Sequence, residues 1–272
     1  MGCIKLSILD EQYKSGIKVS SPQEELTPDF CVLNVRRDIV VKYVDPTGMV
    51  VEGVSEVSAM RVKNEIHNSF QGEKFSALRD LFQLDGNKMK QIDEGAFNDA
   101  ISGLSSDEKA LANAYFSAIN APETHYVDMT MSYETLNSKT TTALGIPANM
   151  KGSEFDAKYG AGANVPYGTG TLSLVVMDSK NSLTDFIYVP TGKNYSRRST
   201  AASTLAHELL GHGYSRIGNR STTYEHKDAI QMENLYWRVR GYNNFYRDGT
   251  DHGTGANLGG TTSRAIPNHF RK

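Results

Sequence analysis

The stretch that decides the reading of this chain is Thr204-Leu205-Ala206-His207-Glu208-Leu209-Leu210-Gly211-His212-Gly213. Two histidines on one helix can supply two ligands to a Zn²⁺. A glutamate beside the first can then act as base toward a metal-bound water. The usual spacing, H-E-x-x-H, puts both imidazoles on one face at i and i+4. Here they stand at i and i+5. At about 100° per residue, a regular α-helix would turn His212 about 140° away from His207. A shared metal therefore demands a π-bulge or a distorted last turn, and such bulges gather at functional sites. Gly211 would ease the distortion. A plainer reading makes the histidines a positive complement to a helix C-terminus, with Glu208 merely exposed. The flanks argue against it. Ala201, Ala202, Leu205, Ala206, Leu209 and Leu210 suggest a buried helix, and two imidazoles with a carboxylate do not enter a core without partners.

H-E-L-L-G-H resembles the zinc signature of the dipeptidyl peptidase III family, metallopeptidases that carry this longer spacing. The resemblance implies that His207 and His212 are zinc ligands and Glu208 the catalytic base, with a glutamate on a later helix as third ligand. It covers six residues. That family's chains are far longer and its second glutamate motif is not reproduced here, so no substrate is carried over.

A catalytic zinc takes three protein ligands and keeps one position open. The segment 224–238 reads as a second helix, with His226, Ala229, Ile230, Glu233 and Trp237 on one face. His226 and Glu233 lie about two turns, roughly 10 Å, apart, so a straight helix cannot bring both to one ion. Glu233, 21 residues after His212, resembles the gluzincin arrangement, in which a glutamate on the following helix completes the site. His226 would give a three-histidine site, equally sound chemically. Glu233 is slightly preferred, with Glu225 and Asp228 as remoter candidates. The one that does not ligate is expected to accept a hydrogen bond from a metal-bound imidazole. Glu233-Asn234-Leu235-Tyr236-Trp237-Arg238 also resembles the helix that follows the zinc motif in bacterial effector metallopeptidases, where the glutamate can support rather than ligate. In the tail, His252 or Tyr246 could fold back to stabilise an oxyanion.

The 272 residues carry 29 basic and 31 acidic side chains. No block is basic enough for nucleic acid or an anionic membrane, and no apolar run approaches the roughly 20 residues of a membrane span. Met1-Gly2-Cys3-Ile4-Lys5-Leu6 lacks the apolar core of an ordinary secretory signal. Cys3 and Cys31, both far from the motif, do not suggest a disulfide framework.

Residues 1–50 read as an irregular segment with short strands at 30–35 and 39–44 and a turn at Asp45-Pro46-Thr47-Gly48. The run Val41–Met49 resembles the end of the Rhs repeat-associated core, after which such proteins carry a variable toxin or effector domain. That implies a cassette acting on a protein of a competing cell, with a cognate immunity protein as a possible partner. Residues 51–272 read as the metallopeptidase-like domain. Its part from 54 to 120 is helical, with an N-cap signal at Ser105-Ser106-Asp107-Glu108 and a stop near Asn120. His67 and His125 have no ligand-spaced neighbours. Residues 124–136 alternate like a strand, and 143–170 are glycine-rich and irregular. The runs 171–178 and 185–190 form a hairpin or two adjacent strands before the motif helix, and a free strand edge there could bind an extended peptide. The motif helix starts near Ser199 or Thr200 and runs to His212, with exits at Gly213 and Gly218. The last 15 residues read as flexible. The expected fold class is α+β: a zincin-like domain whose small mixed or antiparallel sheet packs on the motif helix. The expected activity is a zinc metallopeptidase with one Zn²⁺ and a protein or peptide substrate. A non-catalytic metal-stabilised module, or a zinc hydrolase of another amide or ester, are the alternatives.

Overall fold

The computed structural model describes residues 50–147, 149–217, 225–250 and 258–270. The strands expected at 30–35 and 39–44, the turn at 45–48, both cysteines, the Rhs-like run and His252 lie outside them.

The architecture is α+β, built on a mixed sheet. Six strands lie in the order β2-β3-β1-β4-β6-β5: β1 (Val51–Gly53), β2 (Leu84–Asp85), β3 (Lys88–Met89), β4 (His125–Thr130), β5 (Gly162–Tyr167) and β6 (Gly170–Val176). The central strands β1, β4 and β6 are mutually parallel. Parallel strands need crossovers, and helices supply them. Between β1 and β4 run α1 (Glu56–Ser69), α2 (Ser76–Leu81), α3 (Glu94–Ile101) and α4 (Ser106–Ile119). Between β4 and β6 lie α5 (Ser138–Ala143), α6 (Gly152–Tyr159) and then β5, which pairs antiparallel to β6 at the sheet edge. The burial of β6 is continuous from Gly170 to Val176, as expected of a strand covered on both faces.

Local signals set these helices where the sequence places them. Ser55 caps α1 by accepting from Ser58 N–H. Ser105 and Glu108 form a reciprocal capping box at the start of α4, each satisfying a helix-end donor. At its far end the Asn120 side chain donates to Ile92 O and accepts from Ile92 N–H. The helical stretch is interrupted by the small β2–β3 hairpin, which the periodicity did not separate. Phe70, Phe82 and Tyr115 meet in its core, Phe70 stacked on Phe82 with the Tyr115 ring edge-on to both. His125 is fully buried with Nδ1 3.0 Å from Thr171 Oγ1, and half-buried His67 lies against Phe82 O.

The runs at 171–178 and 185–190 do not form a hairpin. The first is β6 of the large sheet. The second is β7 (Leu183–Tyr188), which pairs antiparallel with β8 (Lys193–Arg198) and with β9 (Phe245–Tyr246) in a separate three-stranded sheet. Nor are the described residues of the expected flexible tail loose. Helix α9 (Gly260–Ser263) follows the buried Leu258, and Phe270 is 1% exposed within the main core, stacked on Tyr214. No helix among the described residues is long and apolar enough to cross a membrane.

Candidate metal centre

Helix α7 begins at Ala201, capped by Thr200, whose Oγ1 accepts from Ser203 N–H. It is α-helical only through Leu205. From Ala206 to Tyr214 it is a π-helix of nine residues. In that geometry residue i+5 bonds back to residue i, so side chains five apart stack on one face. The His207 and His212 rings are accordingly 5.0 Å apart, centre to centre, and inclined at 67°. The bent turn that the spacing demands is thus a continuous π segment rather than a single bulge. It does not end at Gly213; the helix runs on past Ser215.

Gly211 serves packing rather than conformational ease. A Cβ there would sit 2.2 Å from Ala229 Cα, so glycine lets α7 press directly on helix α8 (Glu225–Val239). That close approach delivers the second set of side chains. His226 stands with its ring 5.0 Å from that of His212. Glu233, two turns on, reaches His207: its Oε2 accepts from His207 Nδ1 at 3.1 Å and from Arg247 Nη1 at 2.6 Å. Ser199 Oγ lies 3.4 Å from Glu233 Oε1. The two candidates for a third ligand therefore go to different places on the motif helix. Asp228 is buried but does not line the cleft, and Glu225 has no described side chain.

The far wall of the cleft comes from the glycine-rich stretch read as irregular. It contains α6 and β5. Gly160 turns the chain at φ 59°, a left-handed conformation cheap only for glycine. Its carbonyl accepts from the Tyr133 hydroxyl. Buried Asp156 braces the same wall by accepting from Ser179 Oγ and Asn181 Nδ2. Strand β5 then passes so close over α7 that a Cβ on Gly162 would lie 2.7 Å from Glu208 Oε1. The cleft between this wall and the helices measures about 540 Å³ and includes His207, Glu208, His212, His226, Glu233 and Arg247 in its lining. Tyr246 is elsewhere, in a separate groove beside Ile187 and Gly260. The tail does fold back, but through the neighbouring residue, Arg247. No local signal singled it out; its contact with Glu233 spans 14 residues of chain.

Burial holds His207 well below the usual imidazole range, helped by the Arg247 and His226 charges, so the ring is neutral and able to ligate. Burial raises the Glu208 carboxyl to about 8, and Glu233 adds to the rise. Glu208 Oε2 is buried with no hydrogen-bond partner, an orphan that calls for an explanation in chemistry. Two imidazoles on one tetrahedral Zn²⁺, at Zn–N about 2.0–2.1 Å, have ring centres about 5 Å apart. Both neighbouring pairs here have that spacing. Among the described residues no three His, Cys, Asp or Glu side chains already close into a ligand group, so the match lies in spacing and donor type.

Comparison of the chain with protein-family models, with curated proteins and with solved structures finds no match.

Proposed function

We propose that the chain is a zinc-dependent hydrolase of peptide bonds. The observation that carries the reading is the π-helical segment, which brings His207 and His212 to one face beside a buried carboxylate that has an unused oxygen. His207, His212 and His226 are the ligands. Glu233 is the positioning carboxylate, because its Oε2 accepts from His207 Nδ1, which leaves Nε2 to ligate. This reverses the slight preference for Glu233 as third ligand. A bound Zn²⁺ would supply Lewis-acid polarisation of a carbonyl and acidify water at neutral pH.

The chain's own residues do the rest. Glu208 holds a proton taken from the attacking water on its carboxylate and returns it to the leaving amine. Strand β5 is the last strand of its sheet. Among the described residues its outer edge has no strand beside it and would offer backbone groups to an extended peptide by strand addition, while Gly162 on the same strand lies against Glu208. The Rhs-like run at 41–49 supports an effector role, with an immunity protein as partner.

The test is metal content and coordination number of the purified protein, together with Glu208→Gln. We expect one zinc with three protein ligands in both proteins and a 10²–10⁴-fold lower hydrolysis rate in the variant, on the order of a general acid–base contribution. Undiminished hydrolysis by Glu208→Gln would remove the mechanism. A closed four-ligand site would favour a structural metal module instead.

A further inference from the structure

We propose that Arg247 is a positioning residue for the metal centre: through Glu233 it fixes the tautomer and direction of the His207 ring. This deepens the zinc reading above and rests on it for its functional meaning.

Arg247 comes directly after β9, the strand that pairs with β7 at the edge of the small sheet. Its main chain is gripped on both sides by one amide. Asn234 Oδ1 accepts from Arg247 N–H at 2.7 Å, and Asn234 Nδ2 donates to Arg247 O at 2.8 Å. Asn234 is 0% exposed and also donates to Ser263 O at 2.9 Å. The residue before it on α8 is Glu233. Two adjacent helical side chains therefore do linked jobs. Glu233 receives the Arg247 guanidinium at 2.6 Å, and Asn234 holds the backbone that carries that guanidinium.

The geometry makes a chain with one loose end removed at each step. Asn234 fixes the Arg247 backbone. Arg247 fixes Glu233 Oε2. The same oxygen accepts from His207 Nδ1. A carboxylate in that position selects the Nδ1–H tautomer and leaves Nε2 as the ligating atom. Glu233 is 1% exposed and Arg247 8%, so water does not substitute freely for either partner. Without the guanidinium, a carboxylate on a flexible side chain keeps Ser199 as its other contact, at 3.4 Å. That contact is too long to set a direction.

The test uses the full chain, first metal-free. In ¹⁵N spectra of the imidazoles, the unaltered protein is expected to show His207 as the Nδ1–H tautomer. Arg247→Gln is expected to show a mixed tautomer and about 10–100-fold weaker zinc binding by competition with a chelator, the range for loss of a ligand's hydrogen-bonding support. Arg247→Lys is expected to restore most of both, which a purely structural role would not require. An unchanged tautomer with zinc affinity within about twofold of the parent in Arg247→Gln overturns the inference. If Arg247→Gln does not fold, Asn234→Ala carries the test, since it removes the main-chain clamp and leaves both charges in place. The same mixed tautomer is expected, and an unchanged Nδ1–H signal there also overturns it. If the parent binds no zinc, the zinc reading fails, while the metal-free tautomer still decides the role of Arg247.

Discussion

The two helices that line the cleft place their candidate donors in opposite ways. In α7 two histidines five residues apart come to one face, and the helix changes its winding to allow it. In α8 two candidate donors seven residues apart already share a face of a regular α-helix, and the helix leaves them two turns apart. So the α8 pair divides the labour: His226 lies by His212 and Glu233 by His207. A distorted helix spends backbone hydrogen-bond geometry to converge its side chains. A regular one converges nothing and instead places one group beside each imidazole.

The strongest way to break this comparison is to remove one α8 side chain at a time. His226→Ala should lose a ligand and bind zinc at least about 100-fold more weakly, while Glu233→Ala should keep stoichiometric zinc with an affinity loss of about 10–100-fold. Titration of each variant against a calibrated chelator measures both. Zinc lost outright in Glu233→Ala and retained in His226→Ala would exchange their roles.

A second experiment probes the cost of burying Glu208 on the distorted helix. Its folded carboxyl is raised from 4.5 to about 8. A carboxyl with a raised folded value contributes stability below its unfolded value and loses that contribution as pH rises through the folded one. Metal-free parent protein should therefore weaken relative to metal-free Glu208→Gln between about pH 4.5 and 8, by on the order of a few kcal/mol. Both proteins retain His207, so its opposite dependence cancels in the difference. Denaturant melts at pH 5 and pH 8 would show it, and a pH-independent difference would contradict the desolvated carboxyl.

Smaller again is the contact between the helices. Gly211→Ala places a methyl 2.2 Å from Ala229 Cα, against backbone that has no rotamer to escape into. We expect about 1–3 kcal/mol of destabilisation, the range for overpacking, and a weaker zinc site because α8 must back away. Thermal melts with and without zinc would separate these two effects.

Much of this was legible because it is local. The i, i+5 histidine spacing contains the π segment in itself. The Ser105 cap, the stop at Asn120 and the bounds of α8 follow from neighbours within a turn. What failed was long-range. Strand β5 hides in a glycine-rich stretch because its partner, β6, rather than its own alternation, makes it a strand; Pro166 and flanking glycines mask it further. The runs β6 and β7 look like a hairpin in sequence and belong to different sheets. The choice between His226 and Glu233 could not be made from spacing, since both share a face. It is Arg247, 14 residues beyond Glu233, that occupies the Glu233 carboxylate. Tyr246 was singled out one residue away from the side chain that reaches the site.

The smallest expected effect lies at the other end of α7, and it sharpens the contrast within that helix. Thr200 Oγ1 accepts from Ser203 N–H at 3.1 Å and lies 3.0 Å from the Tyr236 hydroxyl on α8. It caps the regular first turn and ties the two helices together before the π segment begins. Thr200→Ala removes both bonds and should cost about 1 kcal/mol, as loss of an N-cap does; Thr200→Ser should recover most of it. Zinc affinity should stay within about twofold of the parent, because the groups that orient His207 are Glu233 and Arg247. A denaturant melt paired with a zinc titration reads both quantities. If the alanine variant lost zinc in proportion to its stability, the π segment would depend on the turn that precedes it. If it lost only stability, the winding at 206–214 is held by what packs against it: Ala229 at Gly211, and β5 at Glu208.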